Sequence, residues 1–221
     1  MKAIIFDLFE TLITEWGHEK YTKRLMCDDI DIPYNQFNEL WESHEYPRYR
    51  GEYSCEESLN YVLAKAGKRI SEELLSKILK KRYDTKSACF NYLNPDIIPM
   101  LQKLKDSGYL IGLISNCSSE EVTIFKKSSI YPFFDAVILS YEVGMTKPEA
   151  SIYLECLQRL NCSTEECLYV GDGGSHELEG ADKLGMKAVQ ALWYKNVYDN
   201  NAKNNFGFDY AEAPYEIFNY L

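Results

Sequence analysis

The period of the apolar positions changes several times along this chain. Five stretches read as buried strands, because apolar residues run through them without polar alternation, as expected where both faces of a sheet are covered. They are residues 2–7 (KAIIFD), 109–116 (YLIGLISN), 134–140 (FDAVILS), 166–172 (ECLYVGD) and 186–193 (MKAVQALW). Helical spacing fills the intervals. Residues 95–108 stop at Gly108. Residues 118–129 open on Ser118 and Ser119 with acidic residues in the first turn. Residues 147–160 carry Pro148 at the first helical position, and residues 176–185 stop at Gly185. Strands alternating with helices predict right-handed crossovers and a Rossmann-like, doubly wound, mostly parallel α/β sheet.

Residues 15–86 break that alternation. No buried strand is visible there, and four helical stretches are punctuated by Gly17, Pro33, Pro47, Gly51 and Gly67. The expectation is a helical module over 15–86, inserted into a core built from 1–14 and 87–221. Residues 194–209 read as an Asn-rich surface connection.

Composition changes this picture mainly by exclusion. Hydrophobic residues make up 46% of the 221 positions and charged residues 26%, enough for a packed core. The net charge of −10 argues against a nucleic-acid partner, since phosphate backbones need clusters of Lys and Arg. The short basic run Lys80, Lys81, Arg82 reads as a solvated helix end. No apolar run is long enough to span a bilayer, and the first apolar run meets Asp7 without a leader-like cleavage site, so the expected setting is the cytoplasm. Seven cysteines show no C-x-x-C pair and no His at zinc-like spacing, which reads as reduced structural thiols.

In an open parallel sheet, ligands bind outside the carboxyl ends of the strands. The first predicted strand ends at Asp7, the second at Ser115 and Asn116, and the fourth at Asp172 with Glu177 a turn later. Lys147 follows the third. Carboxylates gathered in one crevice stay ionised only beside a cation. An oxygen-rich acidic pocket suits magnesium, a carboxylate can attack phosphorus, and lysine and hydroxyl donors can stabilise the charge on phosphoryl oxygens. The helix expected from Ser118 would aim its first amides at the same place.

These residues carry a resemblance to the haloacid dehalogenase superfamily of hydrolases. "FDLFETL" resembles the first motif of that family, "LISN" the second, the lysine of "MTKPEASIY" the third and "YVGDGGSHELEGADKLGM" the fourth. Their order and spacing cover nearly the whole chain, and residues 15–86 fall where one subfamily carries a helical cap. The resemblance implies a Rossmann-like core with a cap, and a magnesium-dependent hydrolase of small phosphoesters, monomer or homodimer. It implies Asp7 as nucleophile, Ser115 and Lys147 as its catalytic partners, and Asn116 beside the transferred group. Asp7, Asp172, Glu177 and the backbone carbonyl of Phe9 would hold Mg2+.

Phe9 departs from the pattern. Phosphatases of this family usually have an aspartate there, which protonates the leaving oxygen, whereas dehalogenases have an aromatic. Three readings therefore stay open: a phosphatase, a 2-haloacid dehalogenase and a weakly active or non-catalytic binding protein. Glu10, Glu15 and His18 are candidates to supply the missing proton. In the loop "YPRYRGEYS", Arg48 and Arg50 are expected to bind an anionic substrate tail.

Overall fold

The computed structural model describes residues 1–198 and 207–221. Among them, six parallel strands form one sheet in the order β3-β2-β1-β4-β5-β6, the doubly wound arrangement. They are β1 (Ala3–Phe6), β2 (Leu110–Ser115), β3 (Ala136–Leu139), β4 (Cys167–Gly171), β5 (Lys187–Ala191) and β6 (Asp209–Ala211). Successive strand residues point to opposite faces. Ile4 and Phe6 join one apolar layer with Leu113, Leu168 and Val170, while Ala3 and Ile5 join another with Tyr153, Tyr169 and Leu178. All four positions of β1 are fully buried, which is why its sequence carries no polar alternation.

A single helical turn, α7 (Ser140–Val143), follows β3; the first layer is covered by α6 (Ile97–Asp106), the second by α8 (Ala150–Leu160) and α9 (Glu177–Lys183). Between β1 and α6 lie five α-helices: α1 (Lys23–Ile30), α2 (Tyr34–Glu42), α3 (Glu45–Tyr49), α4 (Cys55–Lys65) and α5 (Glu72–Ala88). Ser54 and Glu57 form a reciprocal capping box at the start of α4, and Ser71 caps α5. These helices share a third apolar cluster that includes Met26, Phe37, Trp41, Leu59, Val62 and Ile78. No helix among the described residues is long and apolar enough to cross a membrane.

Four expectations need correction. Residues 118–129 form no α-helix, only 3-10 turns at Ser119–Glu121 and Phe125–Lys127. Three consecutive β-branched residues, Val122, Thr123 and Ile124, disfavour helix. The Glu121 side chain also turns inward to accept from Ser118 N at 3.0 Å. No run of helical amides therefore points at the crevice from Ser118. The α8 helix starts at Ala150, two residues after Pro148. The fifth strand stops at Ala191, and Trp193 opens α10 (Trp193–Tyr198). Finally, β6 is an unpredicted edge strand of three residues, too short and too exposed to show a period. Residues 199–206 of the expected Asn-rich connection lie outside the described residues.

Candidate active site

Asp7 follows β1, and its N–H donates to the Val170 carbonyl of β4 at 2.9 Å. The chain then folds tightly: the Leu8 carbonyl accepts from Leu12 N at 2.9 Å and from Ile13 N at 3.0 Å, with Glu10 in the left-handed region at φ 56°. Two aromatics pin this turn from β5's side. Trp193 Nε1 donates to the Thr11 carbonyl at 2.8 Å, and the Tyr194 hydroxyl donates to the Leu12 carbonyl at 3.1 Å. Asp7 is thus held by its own strand and by a braced loop.

Lys147 stands over Asp7. Its Nζ donates to Asp7 Oδ1 at 2.5 Å and, on its other side, to Glu177 Oε2. Glu177 is 1% exposed and saturated: Oε2 also accepts from the Tyr169 hydroxyl at 2.9 Å, and Oε1 from Gly173 N at 3.1 Å. The turn that returns Glu177 beneath β4 has Gly173, Ser175 and His176 at positive φ. Gly171 makes the approach possible, since a Cβ there would sit 2.0 Å from Glu177 Oε1. Asp172 Oδ1 accepts from Gly174 N at 2.9 Å. Asn116 bonds the Lys147 main chain, and Ser115 Oγ is buried with no hydrogen-bond partner among the described residues.

One buried lysine faces three carboxylates. Burial works against the Lys147 charge, but Asp7 and Glu177 outweigh it and hold its pKa above the usual lysine value. Burial and then the Asp7 charge push Asp172 up to about 6 and Glu177 up to about 8, against the pull of Lys147. The cluster is short of positive charge. Ligand oxygens of Asp7, Asp172 and Glu177 lie within 4.8 Å of one another, so the group could hold a metal ion. All-oxygen donors with carboxylate charge suit a hard divalent cation. Glu177, with both oxygens engaged by the protein, is the least available of the three.

A cavity of about 240 Å³ opens over Asp7, Asn116, Lys147, Asp172 and Glu177, and its further wall is made by Phe9, Glu10, Glu15, Tyr49, Lys86 and Glu121. Tyr49, Lys86 and Glu121 went unrecognised in the sequence. Lys86 pairs with Glu15, and with Glu121 Oε1 at 2.8 Å. Arg82 adds bonds of 3.0 Å to Glu120 and 3.4 Å to Glu121. The available signal was spacing, since Arg82 and Lys86 follow the buried Ile78 at intervals of four on α5.

The structure does not bring Arg48, Arg50 or His18 to this cavity. Arg48 is buried, with its guanidinium 4.1 Å from the Trp41 ring centroid and a bond of 3.2 Å to the Trp41 carbonyl. Arg50 pairs with Glu149, and His18 stacks on Tyr92. The partners of both arginines lie outside the cavity, so the structure lends no support to their expected role.

A family model of haloacid dehalogenase-like hydrolases matches residues 1–185. The chain is 29% identical to a glyceraldehyde 3-phosphate phosphatase of Methanothermobacter thermautotrophicus over 198 residues, 86% of this chain and 84% of that one. It is 26% identical to pyrophosphatase PpaX of Bacillus mycoides, over 87% of this chain and 84% of that one. Among solved structures, an HAD phosphatase from Thermococcus onnurineus superposes with a TM-score of 0.65 at 25% identity, over 100% of this chain and 97% of the other. A 2-haloacid dehalogenase from Pseudomonas syringae pv. Tomato reaches 0.67 at 17% identity, over 99% and 97%, a likeness of fold alone.

Proposed function

This chain belongs to the haloacid dehalogenase-like hydrolases, and we propose that it is a phosphatase of small phosphorylated metabolites with Asp7 as its nucleophile. The observation that carries the reading is the contact of Lys147 Nζ with Asp7 Oδ1, with Asp172 close enough to share one ion with Asp7. The relatives named as phosphatases and as a pyrophosphatase support a phosphoester as substrate.

In this reading Asp7 attacks phosphorus in line. Lys147 orients the carboxylate and offsets charge gathering on the phosphoryl oxygens. The unpartnered Ser115 hydroxyl donates to one of those oxygens. The phosphorus–oxygen bond of the substrate breaks, an aspartyl-phosphate forms on Asp7, and water hydrolyses it. Asp7 and Asp172 would hold Mg2+, which supplies positive charge to the phosphate when bound. Glu177 holds Lys147 rather than the ion. Residues 15–86 act as a cap over a core of 1–14 and 87–221, and closure excludes water from the site. Their separate apolar cluster supports that division.

Phe9 favours a second reading, halide displacement from a 2-halo acid, because halide departs without a proton. A cluster of three carboxylates, Asp7 and Glu177 buried and Asp172 half-buried, supports the phosphatase instead. Phosphate release from p-nitrophenyl phosphate and a metabolite panel, with Mg2+ and with chelator, tests the choice beside Asp7→Asn. Metal-dependent turnover lost in Asp7→Asn is expected. Chelator-insensitive halide release, with no phosphate release, would replace the first reading by the second.

A further inference from the structure

Displacing an alkoxide from phosphorus calls for a proton on the leaving oxygen, a contribution of about a hundred- to ten-thousand-fold. Phe9 has none to give, yet its ring forms part of the cavity wall. Glu10 accepts on both oxygens, from Thr14 Oγ1 and from Glu15 N, each at 2.8 Å. Glu121 accepts from Lys86, Arg82 and Ser118 N. Despite burial, its neighbouring cations hold its carboxyl down at about 2, so it carries no proton. Lys86 likewise keeps Glu15 below the usual carboxylate range. The Tyr49 hydroxyl is committed to Glu45 at 3.0 Å.

Lys86 is different. An ammonium has three N–H donors, and Glu15 and Glu121 account for two. The Nζ lies 5.5 Å from the centroid of the Phe9 ring, and Lys86 lines the same cavity as Asp7 and Asp172. An aromatic face attracts a cation, where an aspartate at that position would pair with it directly. Phe9 and Lys86 thus form one wall of the cavity.

We propose that Lys86 is the hydrogen-bond donor to the leaving-group oxygen and supplies its proton. The inference rests on the phosphatase reading above. As Asp7 forms its bond to phosphorus, the bond to the leaving oxygen breaks and the electron pair stays on that oxygen. A Lys86 N–H proton passes to it, and the product departs as an alcohol. The neutral amine then takes a proton from the water that attacks the aspartyl-phosphate. The water oxygen bonds to phosphorus, the electron pair of the phosphorus–Asp7 bond returns to the carboxylate, and the ammonium is restored. Glu15 and Glu121 favour that return, because their charges stabilise the cation and hold its pKa above the usual lysine value, so the proton passes only to an oxygen as basic as a departing alkoxide.

The test is the dependence of kcat/KM on leaving-group basicity, read with p-nitrophenyl phosphate, phenyl phosphate and an alkyl phosphate in Mg2+. Lys86→Arg keeps the charge and both ion pairs but does not give up a proton. Lys86→Met removes all three. Both are expected to hold p-nitrophenyl phosphate turnover within about three-fold and to lose alkyl phosphate turnover by about a hundred-fold or more. Lys86→Arg, folded with an unchanged Tm, keeps the result independent of any instability in Lys86→Met. Full alkyl phosphate activity in Lys86→Arg, or an equal loss on all three esters, overturns the role of Lys86 and leaves the phosphatase standing. Absence of wild-type turnover on p-nitrophenyl phosphate removes both.

Discussion

Asn116 holds the main chain of Lys147 from both sides, accepting from its N–H at 2.8 Å and donating to its carbonyl at 3.0 Å. The side chain expected to touch substrate is therefore occupied in setting where the lysine begins. Asn116→Ala removes both bonds at once. We expect kcat on p-nitrophenyl phosphate to fall by about ten- to a hundred-fold, since a small misplacement of a catalytic group has effects of that order. KM should change little. Steady-state kinetics separate the two, and a rise in KM at constant kcat would return Asn116 to substrate binding.

Gly171→Ala tests the approach of Glu177 to β4. The added Cβ would stand 2.0 Å from Glu177 Oε1 and 2.6 Å from its Cδ, so the carboxylate must move. Forcing a group into a filled site costs about 1–3 kcal/mol. In a chain of this size that lowers Tm by roughly 2–12 °C. Activity should fall with it, because Lys147 loses the partner opposite Asp7. Thermal unfolding and turnover on one preparation measure both effects, and an unchanged Tm would mean that Glu177 is not confined there.

Glu121 predicts an acid limb of stability. Its folded pKa, about 2, lies below the ordinary value of 4.5. The folded state thus favours the ionised form. That stabilisation is present in full above about pH 4.5 and is lost as pH falls towards 2. A shift of this kind is worth on the order of 3 kcal/mol. Urea unfolding at pH 6, 4 and 3 should show a midpoint that falls across this window. Glu121→Gln should be less stable at pH 6 and lose less on acidification. Parallel curves for the two proteins would sink the assignment.

Arg48→Ala should act on stability and not on substrate. Arg48 lies over Trp41, with Arg82 also 5.1 Å from that ring. The loss of a buried cation–π contact and a hydrogen bond costs about 1–3 kcal/mol. The expected result is a lower Tm with KM for acidic phosphoesters unchanged. A raised KM at full stability would restore the reading made from the loop sequence.

What could be read in advance divides along physical lines. A strand buried on both faces shows a continuous apolar run, so β1 to β5 were visible. The residues at their carboxyl ends follow from the sheet's direction, and the structure does bring Asp7, Asn116, Lys147, Asp172 and Glu177 around one cavity. By contrast, β6 was too short to carry a period. Residues 118–129 do not form the expected helix, because Ser and Glu, apt for a helix start, here serve an inward-turned ion network. Lys86 looked like any polar residue in a helix end. Its burial depends on Glu121, 35 positions away, and no local pattern encodes such a partner.

The central place of β1 also bears on how the chain is made. Ala3 pairs with Leu110 on one side and with Cys167 on the other. During synthesis at about 5–20 residues per second, the first strand waits roughly 8–30 s for its second neighbour. Its β4 edge stays unpaired throughout, while the helices over residues 23–88, whose contacts are local, can already form. Nascent chains halted before residue 167 should thus be the ones that aggregate or recruit chaperones, and those halted after it should resist proteolysis.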